Sequence, residues 1–137
     1  MQESLSRYFH MKQNLIADKS YAFALAIIQA HLYLTKEKKE FIIARQLLKS
    51  GTSVGANVRE AVGAQSRADF INKMSIAFKE ALETEYWLNL LKDSKLLPNK
   101  MAEDLLIECQ SICRIITKIQ ISTKNNDNNR ESDINHR

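Results

Sequence analysis

The sequence predicts an all-α fold, an antiparallel up-down-up-down four-helix bundle. Three observations carry this expectation. Apolar residues make up 45% of the 137 residues, too many for a disordered chain. One Pro and three Gly supply too few turn formers for many short strands. Four segments repeat apolar residues in alternating steps of three and four, the period of a helix that buries one face. Short joints between such helices favour antiparallel neighbours. The length fits one domain of roughly 150 residues, and no internal repeat is present.

The first helix is expected from about Leu15 to Leu34. Tyr21, Leu25, Ile28 and Leu32 form one apolar stripe, with a second, Phe23, Ile27, Ala30 and Leu34, beside it. The run from Lys36 to Glu40 is charged throughout and reads as a solvated corner or a helix start. The second helix is expected from about Phe41 to Gly63, with Phe41, Ala44, Leu48, Gly51, Gly55, Val58 and Val62 as its core stripe. The third starts at Ser66, whose hydroxyl is three residues before Asp69, a pattern like a capping box. Its stripe is Phe70, Met74, Ala77, Ala81, Thr84, Leu88 and Leu91, and it ends near Ser94. Pro98 suits the first turn of the fourth helix, where no N–H partner is lost. There the stripe is Met101, Leu105, Cys109, Ile112, Ile116 and Ile119.

After Thr123 the chain turns polar, with Asn125, Asn126, Asp127, Asn128 and Asn129 in succession. Such a stretch cannot bury a core. The expected organisation is a loosely ordered segment over 1–13, the bundle over 14–123 and a disordered tail over 124–137.

Lys and Arg number 20 against 16 Asp and Glu, for a formal charge of +4. This mild excess permits a nucleic-acid partner without demanding one. No signal peptide is visible at the start, and the most apolar stretch, Tyr21 to Leu34, is shorter than the ~20 residues of a membrane span. Cys109 and Cys113 sit four apart on one helix and form no secreted disulfide framework. A cytoplasmic protein without a membrane partner is the simplest expectation.

Candidate chemistry is sparse. A di-iron bundle needs inward Glu residues and two Glu-x-x-His motifs. None of His10, His31 and His136 has Glu three positions before it, and Glu80, Glu83 and Glu85 fan around their helix. Neither a metal, a cofactor nor a catalytic set is expected, and the chain does not read as an enzyme. Cys109 and Cys113 read as small core residues. In the segment from Gly51 to Asn57, each Gly costs about 1 kcal/mol against Ala in a helix. Close approach of another helix would offset that cost, and a helix break presenting N–H groups to an anion is the other reading.

Two surfaces remain. At about 100° per residue, Leu47, Val54 and Ala61 fall away from the assumed seam of the second helix. Ile76, Trp87 and Leu90 do the same on the third. Exposed apolar surface of this kind marks a protein–protein contact, which predicts a homo-oligomer; a wide core face is the alternative. Arg45, Lys49 and Arg59 project within a narrow arc with Thr52 and Ala56 between them. Such a stripe admits a phosphate backbone, or is an ordinary solvated face. Arg67, Lys73 and Lys79 are further candidates. No aromatic is interleaved with the stripe, so stacking of single-stranded bases is not indicated.

The stretch Arg45-Gln-Leu-Leu-Lys-Ser-Gly-Thr-Ser-Val-Gly-Ala-Asn-Val-Arg-Glu-Ala61 resembles the signature of the bacterial four-helix bundle proteins named after the 23S rRNA intervening sequence, also called S23 ribosomal proteins. A second block, Ser66 followed by Asp69 to Leu91, agrees with it. The resemblance spans roughly 14–123. It implies an antiparallel four-helix bundle that forms homopentamers. Some members of this family are reading frames inside 23S rRNA genes, and a related group holds RNA on a basic pentameric surface to assist a reverse transcriptase. It matches Gly51, Gly55 and Asn57 to the family's small-residue segment, and Tyr86 and Trp87 to its aromatic pair. The implied function is a non-catalytic, oligomeric RNA-binding protein; the alternative is a protein-interaction scaffold or accessory factor, for example to a polymerase.

Overall fold

The structure, a computed structural model, describes residues 2–135; Met1, His136 and Arg137 lie outside the described residues. Four helices follow one another: α1 (Gln2–Lys36), α2 (Ile42–Val62), α3 (Arg67–Asp93) and α4 (Asn99–Ile134). Each packs against its neighbour in sequence, and α1 closes the ring against α4. Joints of a few residues make each neighbouring pair antiparallel. Among the described residues there is no strand.

α3 follows the sequence expectation residue for residue. Phe70, Met74, Ala77, Ala81, Thr84, Leu88 and Leu91 are its buried positions. Ser66 caps it, its hydroxyl accepting the Asp69 N–H at 3.1 Å, and Ser94 ends it. α4 buries Leu105, Cys109, Ile112, Ile116 and Ile119 as expected, and adds Ala102, Leu106 and Thr123. Pro98 stands one residue before the helix rather than in its first turn. Its carbonyl accepts the Ala102 N–H at 3.0 Å.

α1 carries two apolar stripes and turns the second one inward. Phe23, Ile27, Ala30 and Leu34 are buried together with Ile16 and Ser20. Tyr21, Leu25 and Ile28 of the other stripe face solvent. α2 departs further from expectation. Its buried arc is Ala44, Leu47, Ser50, Gly51, Val54, Val58 and Ala61, while Phe41 and Val62 are exposed. The core arc is thus rotated by roughly 60° from the predicted one, at ~100° per residue. Leu47, Val54 and Ala61 are core residues of the single chain and present no free face for a second copy.

The two glycines explain the rotation. They mark the flank where α1 comes close, not the centre of the core. A Cβ on Gly51 would lie 2.8 Å from both Cγ1 and Cγ2 of Ile27, and one on Gly55 would lie 3.2 Å from the Ser20 carbonyl oxygen. Close helix approach, expected for this pair, is what the glycines permit. The helix is unbroken across them, so no turn exposes N–H groups to an anion. Instead Thr52 and Ser53 donate back to the Leu48 and Lys49 carbonyls at 2.7 and 2.6 Å.

α2 begins on a carboxylate cap. Glu40 accepts the N–H groups of Ile42, Ile43 and Ala44 at 3.0 to 3.1 Å, satisfying donors that a helix start leaves without partners. The charged run is thus an exposed corner over Glu37 to Lys39, and its last residue, Glu40, is the helix start. The chain turns there and before α4 through Lys39 and Lys95, both at positive φ (52° and 62°).

α1 and α4 have 35 and 36 residues against 21 in α2. At ~1.5 Å per residue they outreach it by some 20 Å. The overhanging ends stay side by side, Tyr8 and Lys12 sharing a small cavity with Lys118, Ile119 and Ser122. α1 is thus helical over the segment expected to be loose, and α4 runs on through residues expected to form a disordered tail. Extending an existing helix avoids the cost of nucleation, and Asp127 pairs with Arg67 at 2.6 Å.

Candidate nucleic-acid interface

Arg45, Lys49 and Arg59 are exposed on the outer face of α2, with Thr52 and Ala56 between them. Steps of four, three, four and three residues keep all five in one outward strip. From Arg45 to Arg59 the strip spans about 21 Å at 1.5 Å per residue. None of its three cations forms an ion pair among the described residues. Lys49 has one electrostatic neighbour, Glu80 of α3. Partial burial, and then the like charge and hydrogen bond of Glu83, hold the Glu80 carboxyl above its ordinary range, against the pull of Lys49.

The remaining predicted cations are differently placed. Arg67 is bound to Asp127. Lys73 pairs with Glu60 at 2.7 Å, and the hydrogen bond and charge of Glu60 push its pKa up. Both are engaged within the chain. Lys79 is exposed on α3 with no ion pair among the described residues.

Beside the basic strip runs a groove of about 520 Å³ between α1 and α2, lined by Arg59, Thr52 and Ala56 on one wall and Asp18 and Tyr21 on the other. Sequence reasoning missed Tyr21 and Asp18 because they come from another helix. The signal was present in the exposed α1 stripe, but a single-helix pattern does not show which neighbour it lies against. A second cleft, about 380 Å³ between α1 and α4, has Phe23, Met101 and Leu105 in its lining with Asp104 and Glu108. Its acids pair with Lys100 at 3.0 Å and Lys19 at 3.2 Å. An acidic rim suits a polyanion poorly.

α3 carries an exposed apolar stripe, as α1 does. Leu82, Tyr86 and Leu90, four residues apart, are 47%, 57% and 39% exposed. Of the predicted contact residues on this helix, Leu90 stands in that stripe, while Ile76 and Trp87 are half-buried. Trp87 packs edge-on to Tyr86 at 5.0 Å, and its buried indole N–H finds no acceptor among the described residues.

The polar interior is structural. Thr84 and Ser50 hydrogen bond at 3.0 Å between α3 and α2. Cys109 is buried, and its thiol donates to the Ala81 carbonyl at 3.1 Å. The Cys113 sulfur one turn on, together with burial, pushes its pKa up, while Cys109 in turn lowers that of Cys113. Among the described residues no group of three His, Cys, Asp or Glu side chains could hold a metal ion, and no helix is long and apolar enough to cross a membrane.

Comparison with known proteins agrees with the sequence blocks around Gly51 and Phe70. The family profile described as 23S rRNA-intervening sequence protein matches residues 12–118. No functionally curated protein matches the chain. A crystal structure from Bacteroides thetaiotaomicron, of a protein of unknown function from the S23 ribosomal protein family, is 47% identical and superposes with a TM-score of 0.78. The match covers 80% of this chain and 97% of that one. With a four-helix fold, a family match over most of the bundle and a solved relative at this identity, the chain belongs to the 23S rRNA-intervening sequence protein family.

Proposed function

We propose that this protein is a non-catalytic RNA-binding protein that assembles with copies of itself and holds structured RNA on the outer face of α2. One observation carries the reading. Arg45, Lys49 and Arg59 share one outward strip and form no ion pair among the described residues, whereas Arg67 and Lys73 are tied to carboxylates. Cations outside ion pairs along ~21 Å of helix suit a run of phosphates, which such contacts position without reading sequence. Repetition of the strip around a ring would add several weak contacts into one strong one. Five copies is the number the family resemblance implies.

Self-association is assigned to the α3 stripe of Leu82, Tyr86 and Leu90, since the core positions of α2 are unavailable. The same stripe favours a second reading, a scaffold that docks a protein partner such as a polymerase without touching nucleic acid. The free thiols of Cys109 and Cys113 suit a reducing cytoplasm.

The test is binding of a labelled RNA hairpin to the purified protein and to the double variant Arg45→Glu, Lys49→Glu. RNA binding predicts a loss of at least about tenfold, since several phosphate contacts are removed or reversed. Unchanged binding would overturn the assignment of the strip. No binding by the parent protein, with a co-purifying protein that survives nuclease and high salt, would favour the scaffold.

A further inference from the structure

We infer that the groove between α1 and α2 takes one unpaired nucleotide of a structured RNA, stacked on Tyr21, and that guanine is the base it fits. The inference rests on the RNA-binding reading and names the ligand feature recognised on that face.

Four observations meet at this place. Tyr21 is 68% exposed and makes no ring contact among the described residues, so a large flat surface stands open to water beside the basic strip. Below it the groove is floored by small residues, Ala17, Ala24 and Gly55 among them, because Gly55 is where α1 and α2 come together. The volume of about 520 Å³ lies within the ~300–1,000 Å³ of small-ligand sites. Arg59 stands at the rim without an ion pair among the described residues and continues into Lys49 and Arg45, so the phosphates flanking an extruded base meet the cations already assigned to the backbone.

Asp18 decides which base. A carboxylate repels phosphate, so on a polyanion-binding face it has no use toward the backbone. Toward a base edge it is a two-oxygen acceptor. Guanine presents two adjacent donors on its Watson–Crick edge, N1–H and the N2 amino group. Adenine and cytosine present one amino donor beside an acceptor, and uracil one N–H between two acceptors. Only guanine pairs with both carboxylate oxygens. The base must be unpaired, since the deep major groove of an RNA helix is closed to side chains and splayed bases are the ones proteins stack on aromatic rings.

The experiment is fluorescence anisotropy with four labelled RNA hairpins, one fully paired and three carrying a single bulged G, A or U. The proteins are the full chain and its Tyr21→Ala, Tyr21→Trp, Ala56→Leu and Asp18→Asn variants. Ala56→Leu fills the groove from an exposed position and leaves every charge in place. The expected result is a preference of about tenfold for the bulged G over the paired hairpin, the scale of one stacked base. Tyr21→Ala loses that preference and keeps paired-hairpin binding, Ala56→Leu loses the preference, Tyr21→Trp retains it, and Asp18→Asn levels G with A. No preference for any bulge, or a preference that survives both Tyr21→Ala and Ala56→Leu, overturns the pocket while leaving the basic strip standing. Equal preference for bulged G and A in the parent protein overturns the assignment to guanine. Failure of all four RNAs to bind even at low salt overturns the RNA-binding reading itself.

Discussion

A Cβ placed on Gly51 would meet Ile27, a residue with no exposed surface, at 2.8 Å. Ala there gains about 1 kcal/mol of helix propensity but overpacks the α1–α2 contact, which typically costs about 1–3 kcal/mol. Gly51→Ala is expected to lower stability by up to about 2 kcal/mol in urea unfolding, and an increase would show that Ile27 yields freely. Lys95 gives the opposite case. At φ 62° a side chain costs roughly 1–2 kcal/mol that Gly avoids, so Lys95→Gly should raise the urea midpoint. Glu80 makes stability depend on pH. Its folded pKa lies above the ordinary value, so the native state holds that proton more tightly than the unfolded chain does. The contribution is fully present below the unfolded carboxylate range and is lost as pH rises through the folded value. Glu80→Gln should therefore raise stability at pH 7, by less than about 1 kcal/mol for a solvent-screened pair, and flatten the pH profile across that window. The same substitution removes the carboxylate beside Lys49 and should tighten RNA binding.

Among the elements, α3 was fully legible because its apolar residues fall on one arc and its cap is local to the sequence. α1 was legible as a helix but not in its orientation, since two apolar stripes compete and only the packing against α2 selects Phe23, Ile27, Ala30 and Leu34. α2 was misread by rotation. Gly51 and Gly55 share a helix face with Val58, and periodicity alone does not tell a contact flank from a core centre. The α4 extension was hidden for a different reason, because an Asn-rich composition argues against a core but not against prolonging a helix already formed. The start of α2 offers the sharpest test at this scale. Glu40 takes three backbone N–H groups, so Glu40→Ala should cost about 1–2 kcal/mol, as loss of a strong cap does. A neutral result in denaturant unfolding would show that water serves those donors equally well.

For the whole molecule, the arrangement of surfaces matters more than any one contact. The bundle fills its interior with the inner stripes of four helices and leaves unlike outer faces, among them a basic strip on α2 and apolar stripes on α1 and α3. The basic strip was legible as Arg45, Lys49 and Arg59 because one helix holds it. The groove beside it was not, since Tyr21 and Asp18 reach it only through the α1–α2 contact. The spare apolar surface was expected on the right kind of element, yet only Leu90 of the six predicted residues lies in the exposed α3 stripe. Leu90→Glu should leave the fold intact, its position being 39% exposed, and reduce the mass seen by light scattering toward that of one chain. An unchanged mass would move the self-contact elsewhere.

Whether the α2 strip holds a phosphate backbone is read from RNA affinity across a salt series. Three cations per chain should make log K fall against log salt with a slope of about −2 or steeper, made shallower by Arg45→Gln and by Lys49→Gln. A flat salt dependence, or a slope indifferent to both substitutions, would contradict it.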